Sequence, residues 1–260
     1  MKKFISIVSI FYILVIPVLA NAFESEQWNS VEGLKRLRTS KFNNDFYQLV
    51  NYYQPQINPL YCSIATGVML LNALNSNDEI PSQKENEIKK PQAIGGGVSE
   101  FHSYSQLSFL NEKTDKIKKR EIIQLKQPKE IKDGKEIYDP GLSLTDYANI
   151  LTKAYALKVE LNYINKNDKK LVKKFRDDLK KYLVEDKKFI VVNFDGQIIN
   201  NKTKGHVSAV VAYDEESDSI LVLDPALHKN TWYWVDLQSL YKAMNSKDVD
   251  SYRGYLIVSK

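Results

Sequence analysis

Residues Lys204 to Pro225, KGHVSAVVAYDEESDSILVLDP, decide how the carboxy-terminal half is built. Val207–Tyr213 and Ile220–Leu223 are two runs rich in β-branched residues. The polar stretch between them, Asp214–Ser219, has the composition of a hairpin connection. Working outward, "FIVVNF" (Phe189–Phe194) upstream and "TWYWVDL" and "GYLIVSK" downstream are further strand runs. A single helix near Leu237–Met244 interrupts them. The amino-terminal half reads as mostly helical, with helices expected near Asn44–Tyr53, over the stretch after Asn58, and at Leu144–Tyr155 behind a Ser143 cap. Leu171, Phe175, Leu179 and Leu183 line one face of another helix, whose lysines fill the solvated face. The sum is an α+β fold with a helical lobe and an antiparallel-sheet lobe.

The hairpin carries chemistry as well as architecture. If Tyr213 pairs near Ser219, Asp224 falls across from about Ser208, on the side His206 also faces. His206 and Asp224 are then diagonal neighbours, roughly 7–8 Å apart between Cβ atoms and within side-chain reach. An acid so placed fixes the tautomer that leaves the second ring nitrogen free to act as a base. A strand-edge histidine beside a turn aspartate is the purely structural alternative. The other two histidines are less suggestive: His102 sits in an aromatic stretch after Gly95–Gly97, and His228 in a turn after a strand. They show no metal-ligand spacing with each other.

The only cysteine lies in "QINPLYCSIATGVMLLNAL", Gln56 to Leu74. Ile64, Ala65, Val68 and Leu71 recur at helical spacing, so the segment reads as an amphipathic helix. Asn58 stands as the cap and Pro59 at the first helical position. Cys62 then lies in the first turn, where free N–H groups and the helix dipole favour a thiolate. A small buried thiol packing a helix end is the alternative. Gln56, six residues earlier, has an amide that can donate to a developing oxyanion together with the Cys62 N–H. A polar loop residue would look the same.

Other features bound the reading. Met1-Lys2-Lys3, the apolar run Phe4–Leu19 and Ala20-Asn21-Ala22 form a secretory signal peptide over residues 1–22, with a retained membrane anchor as the alternative. Residues 23–260 would be one catalytic domain, exported to a periplasm or secreted, without stable membrane association after cleavage. One cysteine excludes an intramolecular disulfide. The net charge of +5 is spread through Lys-rich runs without interleaved aromatics, which argues against nucleic acid as a partner. Asn75–Glu100 reads as a loop, and the charge-dominated Lys113–Lys135 as exposed.

The stretches Gln56–Leu74, "GHVSAVVAYDEESDSILVLDPA", "WVDLQSLYKAM" and "RGYLIVSK" resemble, in order and spacing, the phytochelatin synthase family. The likeness runs from about Phe46 to Lys260, and is narrowest to the short prokaryotic members that consist of the catalytic domain alone. It implies a papain-like fold acting on glutathione, with Cys62, His206 and Asp224 as a triad and Gln56 as oxyanion donor. It also implies Asp248 and Arg253 at the γ-glutamyl end of the substrate, where an arginine can grip a carboxylate and an aspartate an ammonium. The implied activity is a glutathione γ-glutamylcysteinyltransferase, an acyltransferase or glutathione hydrolase of metal detoxification. No resident cofactor or metal is implied; metal–thiolate complexes of glutathione enter as substrate or activator, and a homodimer is compatible. Two departures stand out. Ser63 follows the cysteine where the family usually has glycine. After Asp224 the chain reads Pro225-Ala226-Leu227-His228-Lys229-Asn230-Thr231-Trp232 in place of a run containing an arginine and two prolines. A peptidase for exported peptides, or a non-catalytic binding domain on the same scaffold, are the competing readings.

Overall fold

The computed structural model describes residues 25–75, 87–100, 102–248 and 251–260; the expected leader, residues 1–22, lies outside them. A short strand β1 (Glu26–Gln27) is followed by helices α1 (Val31–Thr39), α2 (Asn44–Leu49) and α3 (Cys62–Leu74). A hairpin of β2 (Glu87–Lys89) and β3 (Val98–Glu100) leads to three single-turn helices: α4 (Gln106–Phe109), α5 (Glu112–Asp115) and α6 (Arg120–Ile123). A second hairpin, β4 (Glu130–Lys132) and β5 (Lys135–Ile137), precedes α7 (Leu144–Lys153). The rest of the chain runs β6 (Lys158–Tyr163), α8 (Lys169–Tyr182), β7 (Lys188–Asp195), β8 (Gly205–Asp214), β9 (Ser219–Leu223), β10 (Tyr233–Asp236), α9 (Leu237–Met244) and β11 (Gly254–Ser259). Helix and antiparallel sheet are thus segregated along much of the chain, as an α+β fold requires.

Seven strands form one sheet in the order β1-β10-β9-β8-β7-β11-β6, antiparallel at each pairing. One face packs against α1, α2, α3 and α7 through Phe189, Val191, Ala209, Leu221 and Leu256. The other packs against α8 and α9 through Ile190, Val192, Val210, Val222 and Tyr255. The two-lobe expectation is corrected here: the sheet is covered on both faces, and the helical half is one of its two covers. Burial on both sides explains why β7, β8 and β9 read as unbroken apolar runs instead of alternating ones. Strand β6 has no counterpart in the sequence reading. It is a half-exposed edge strand whose polar residues dilute the pattern.

Helix α3 also departs from expectation. From Ser63 to Leu74 every residue except Ala73 is buried, so the helix runs through the interior and is not amphipathic. Its close approach to α4 needs Gly67, where a Cβ would lie 2.5 Å from the Phe109 ring. Pro59 is not its first residue. Asn58 Oδ1 accepts from the Leu60 N–H (3.0 Å), and its carbonyl accepts from the Tyr61 N–H. This turn delays the helix until Cys62.

Ser143 caps α7 as expected, in a reciprocal box with Asp146. The Lys113–Lys135 stretch is not uniformly exposed. Lys118 is buried, with its Nζ 2.8 Å from Asp139 Oδ2 and 3.1 Å from Asp146 Oδ2. Two carboxylates compensate the desolvated ammonium, and together they hold both ends of the Pro140–Leu142 segment. Composition alone cannot separate such a lysine from its solvated neighbours.

Candidate active site

The β8–β9 hairpin sets the site. At the turn Asp214 pairs Ser219 and Tyr213 pairs Ile220, one residue away from the expected register. A bulge at Val211 then shifts the ladder, so that Val210 pairs Val222 and Ala209 pairs Leu223. Continued by one residue, this register puts Asp224 across from Ser208, as expected. Without the extra residue His206 would point to the opposite face of the sheet from Asp224, because a one-residue shift inverts every side chain beyond it.

His206 Nε2 lies 2.7 Å from Asp224 Oδ1, and both residues are buried. Asp224 is fixed by its own loop: Oδ1 also accepts from the Ala226 N–H (2.7 Å), and its carbonyl accepts from the Tyr53 hydroxyl (2.9 Å). Phe194 packs edge-on against the imidazole at 5.5 Å. With Nε2 engaged, Nδ1 is the nitrogen left for the Cys62 thiol, which hydrogen-bonds the ring.

The electrostatics follow from these contacts. Burial by itself raises the pKa of the Cys62 thiol. The His206 hydrogen bond and charge, with the N–H groups of Val207 and Ser63, outweigh burial and bring it below the ordinary thiol value. For His206 burial acts downward. The Asp224 charge and hydrogen bond, then Cys62, overcome it and raise the imidazole to about 10. Both shifts favour a thiolate–imidazolium pair. As the first residue of α3, Cys62 has an N–H without an intrahelical acceptor. Thr66, one turn further on, donates its hydroxyl to the Val207 carbonyl (3.3 Å) and ties α3 to β8 at that point.

A cavity of about 460 Å³ opens on this pair and extends to Arg253 and Asp248. Gln56 lines it. Its N–H donates to the Pro225 carbonyl (2.9 Å) and its side-chain amide to the Asn58 carbonyl (2.8 Å), which stations it between the cysteine and aspartate loops. Arg253 is only 7% exposed and donates from Nη1 to Asn193 Oδ1 (2.8 Å) and Asp248 Oδ2 (3.2 Å). Its Nε is buried without a partner among the described residues. Gly205 belongs to this arrangement, since a Cβ there would stand 3.0 Å from both Nη1 and Nη2. All six residues singled out from sequence therefore border one cavity or, for Asp224, stand directly behind it.

The sequence reading missed Asn193, although a lone polar residue inside "FIVVNF" was the available signal. It also missed Lys202 and Lys204, which line the cavity with Lys229. Neither His102 nor His228 borders it. Among the described residues no group of three or more His, Cys, Asp or Glu is placed to hold a metal ion.

The arrangement has the chemistry a thioester needs: a thiol with lowered pKa at a helix start, hydrogen-bonded to an imidazole that a buried carboxylate holds. The family model for phytochelatin synthase matches residues 21–255, most of the chain. The chain belongs to the phytochelatin synthase family. Among relatives within this family, a Lotus japonicus protein named glutathione gamma-glutamylcysteinyltransferase 3 is 28% identical over 217 residues, covering 83% of this chain and 37% of that one. Glutathione gamma-glutamylcysteinyltransferase 2 of Arabidopsis thaliana is 24% identical over 221 residues, covering 83% and 40%. The Schizosaccharomyces pombe glutathione gamma-glutamylcysteinyltransferase is 24% identical over 250 residues, covering 95% and 51%. The chain thus spans about half or less of the length of these relatives.

Proposed function

We propose that the protein is a papain-like thiol acyltransferase acting on glutathione, with Cys62 as nucleophile, His206 as acid–base and Asp224 as the group that orients it. One observation supports the substrate assignment: a buried arginine paired with an aspartate lines the same cavity as the thiol. The α-carboxylate of a γ-glutamyl head matches Arg253 as a bidentate partner, and its ammonium matches Asp248. A buried ionic pair in the cavity suits a small zwitterion better than the extended peptide of a general peptidase.

In the reaction the Cys62 thiolate attacks the carbonyl of the Cys–Gly amide. The Cys62 N–H and the Gln56 amide face the developing oxyanion. His206 delivers its proton to the glycine nitrogen, the C–N bond breaks, and glycine leaves a γ-glutamylcysteinyl thioester. His206, now neutral, takes a proton from the attacking water. The thioester opens, releasing γ-glutamylcysteine and restoring the thiolate–imidazolium pair. A second glutathione amine in place of water would give a phytochelatin chain, and metal–thiolate glutathione is a substrate of the same chemical class.

Hydrolysis is the dominant outcome in this reading. The arginine usual after the catalytic aspartate is absent, and the lysines along the cavity are flexible point charges that orient an acceptor less well than a planar guanidinium. Incubating purified protein with millimolar glutathione, with and without cadmium or zinc, tests both levels. Glycine and γ-glutamylcysteine released in equal amounts are expected. Absence of glycine release overturns the substrate, and chain products forming as fast as glycine overturn the preference for water. Export is part of the same proposal: the mature protein is expected to begin at Phe23, and an intact mass that retains residues 1–22 overturns it.

A further inference from the structure

Asp224 has partners on only one of its carboxylate oxygens. Oδ1 accepts from His206 and Ala226, whereas Oδ2 is buried with no hydrogen-bond partner among the described residues. Two buried hydroxyls that also lack a partner at full hydrogen-bond geometry among the described residues, those of Ser208 and Tyr233, share its face of the sheet. Tyr233 pairs with Val222, two residues before Asp224 on the same side, so Tyr233 and Asp224 are diagonal neighbours. Ser208 stands across from Asp224 when the β8–β9 register is continued by one residue. Around them the face is apolar, formed by Val192, Phe194, Val210 and Val222. A bare carboxylate oxygen and a bare phenol are each costly in such surroundings, and adjacency relieves both.

Tyr233 also reaches the other way. Burial, then the Asp224 charge, keep its phenol protonated well above the ordinary range; proximity of the Asn201 amide acts in the opposite direction, and proximity of the Asp224 carboxylate adds to the rise. Asn201 Oδ1 accepts from the Thr203 N–H and hydroxyl (both 2.9 Å) and from Asn230 Nδ2 (2.7 Å). Lys202, Thr203 and Lys204 of this loop line the substrate cavity.

We propose that Tyr233 is a positioning residue. Its hydroxyl donates to Asp224 Oδ2, directly or through one buried water, fixes the carboxylate plane against His206, and links it through Asn201 to the loop that lines the cavity. The catalytic part of this inference rests on the function proposed above; the geometric part does not.

The test compares the wild type with Tyr233→Phe, Asp224→Asn and the double variant, in two assays. One is glycine release from glutathione. The other is the pH profile of Cys62 alkylation by iodoacetamide, which needs no substrate recognition. Tyr233→Phe removes only the hydroxyl. It is expected to lower kcat about tenfold, the scale of one buried hydrogen bond, with KM within twofold. It should also move the acid limb of the alkylation profile to higher pH, because a loosened acid supports the imidazolium less. In the Asp224→Asn background the same substitution is expected to change neither quantity. A wild-type alkylation profile in Tyr233→Phe overturns the proposal, as does a loss that persists undiminished in the Asp224→Asn background. Asn201→Leu, in the loop, gives a second reading: a smaller shift in the same direction supports the link, and an unchanged profile overturns it. If glutathione is not turned over at all, the substrate reading fails while the alkylation profiles still decide this one.

Discussion

The reactivity of Cys62 is set by a contest that burial loses. Two N–H groups and the His206 imidazolium outweigh a desolvated site, so alkylation of Cys62 should titrate below the free-thiol value of about 8.5. In His206→Ala burial is opposed only by the Val207 and Ser63 N–H groups, and the titration is expected to move above that value. A profile unchanged between the two proteins would remove His206 from the site. Turnover should rank the partners as well. His206→Ala loses the proton carrier, whereas Asp224→Asn loses only its orientation and charge support, so the asparagine protein is expected to retain more activity. The reverse order, measured as kcat for glycine release, would contradict the assigned roles. Cys62, His206 and Asp224 were legible from sequence because each stands at a pattern boundary: a helix start, a strand start and a strand end. Tyr233 and Asn193 were not, since each lies inside an otherwise apolar run, where a single polar residue gains meaning only when the sheet brings another polar group alongside.

At the scale of elements, the most instructive feature is the bulge at Val211. The expected pairing of His206 with Asp224 was right although the turn register was one residue off, because the bulge supplies the missing residue. No sequence pattern marks it: Val210-Val211-Ala212 is as apolar and strand-like as its surroundings. The long strands and α7, α8 and α9 were legible because their periods or caps are unambiguous. The single-turn helices α4, α5 and α6 are too short for any period to show. Helix α3 was legible as a helix but not as a buried one: its polar residues Ser63, Thr66 and Asn72 are small enough to enclose and stand on different sides of the helix instead of on one solvated face. Gly67 tests how tightly it is enclosed. Gly67→Ala puts a methyl 2.5 Å from the Phe109 ring and is expected to destabilise by about 1–3 kcal/mol despite its better helix propensity. A melting temperature equal to or above the wild type would mean that α3 and α4 are less closely packed than described.

For the molecule as a whole, pH dependence of stability should be governed by a carboxyl far from the proposed chemistry. Asp45, on α2, is fully buried, and neither of its oxygens has a hydrogen-bond partner among the described residues. Burial, then the nearby charge of Asp186, raise it to about 9. The folded protein therefore holds this proton where the unfolded chain, with an ordinary value near 3.9, has released it. Stability contributed by the neutral form falls as pH climbs from about 4 towards 9. Asp45→Asn keeps the shape and removes the titration, so its melting temperature is expected to exceed that of the wild type, by more at pH 8 than at pH 5. A gap independent of pH would show that the carboxyl is not the source.

The position of β11 has a consequence for synthesis. Last in order among the described strands, it lies between β7 and β6, bonded to both. A nascent polypeptide that has emerged only as far as residue 250 leaves β6 without a sheet partner and β7 with one side open. It also lacks Arg253 and so the ionic pair of the cavity. β1, β10, β9, β8 and β7 can pair without it, but β6 joins the sheet only once β11 has formed, a long-range step of the kind that slows folding.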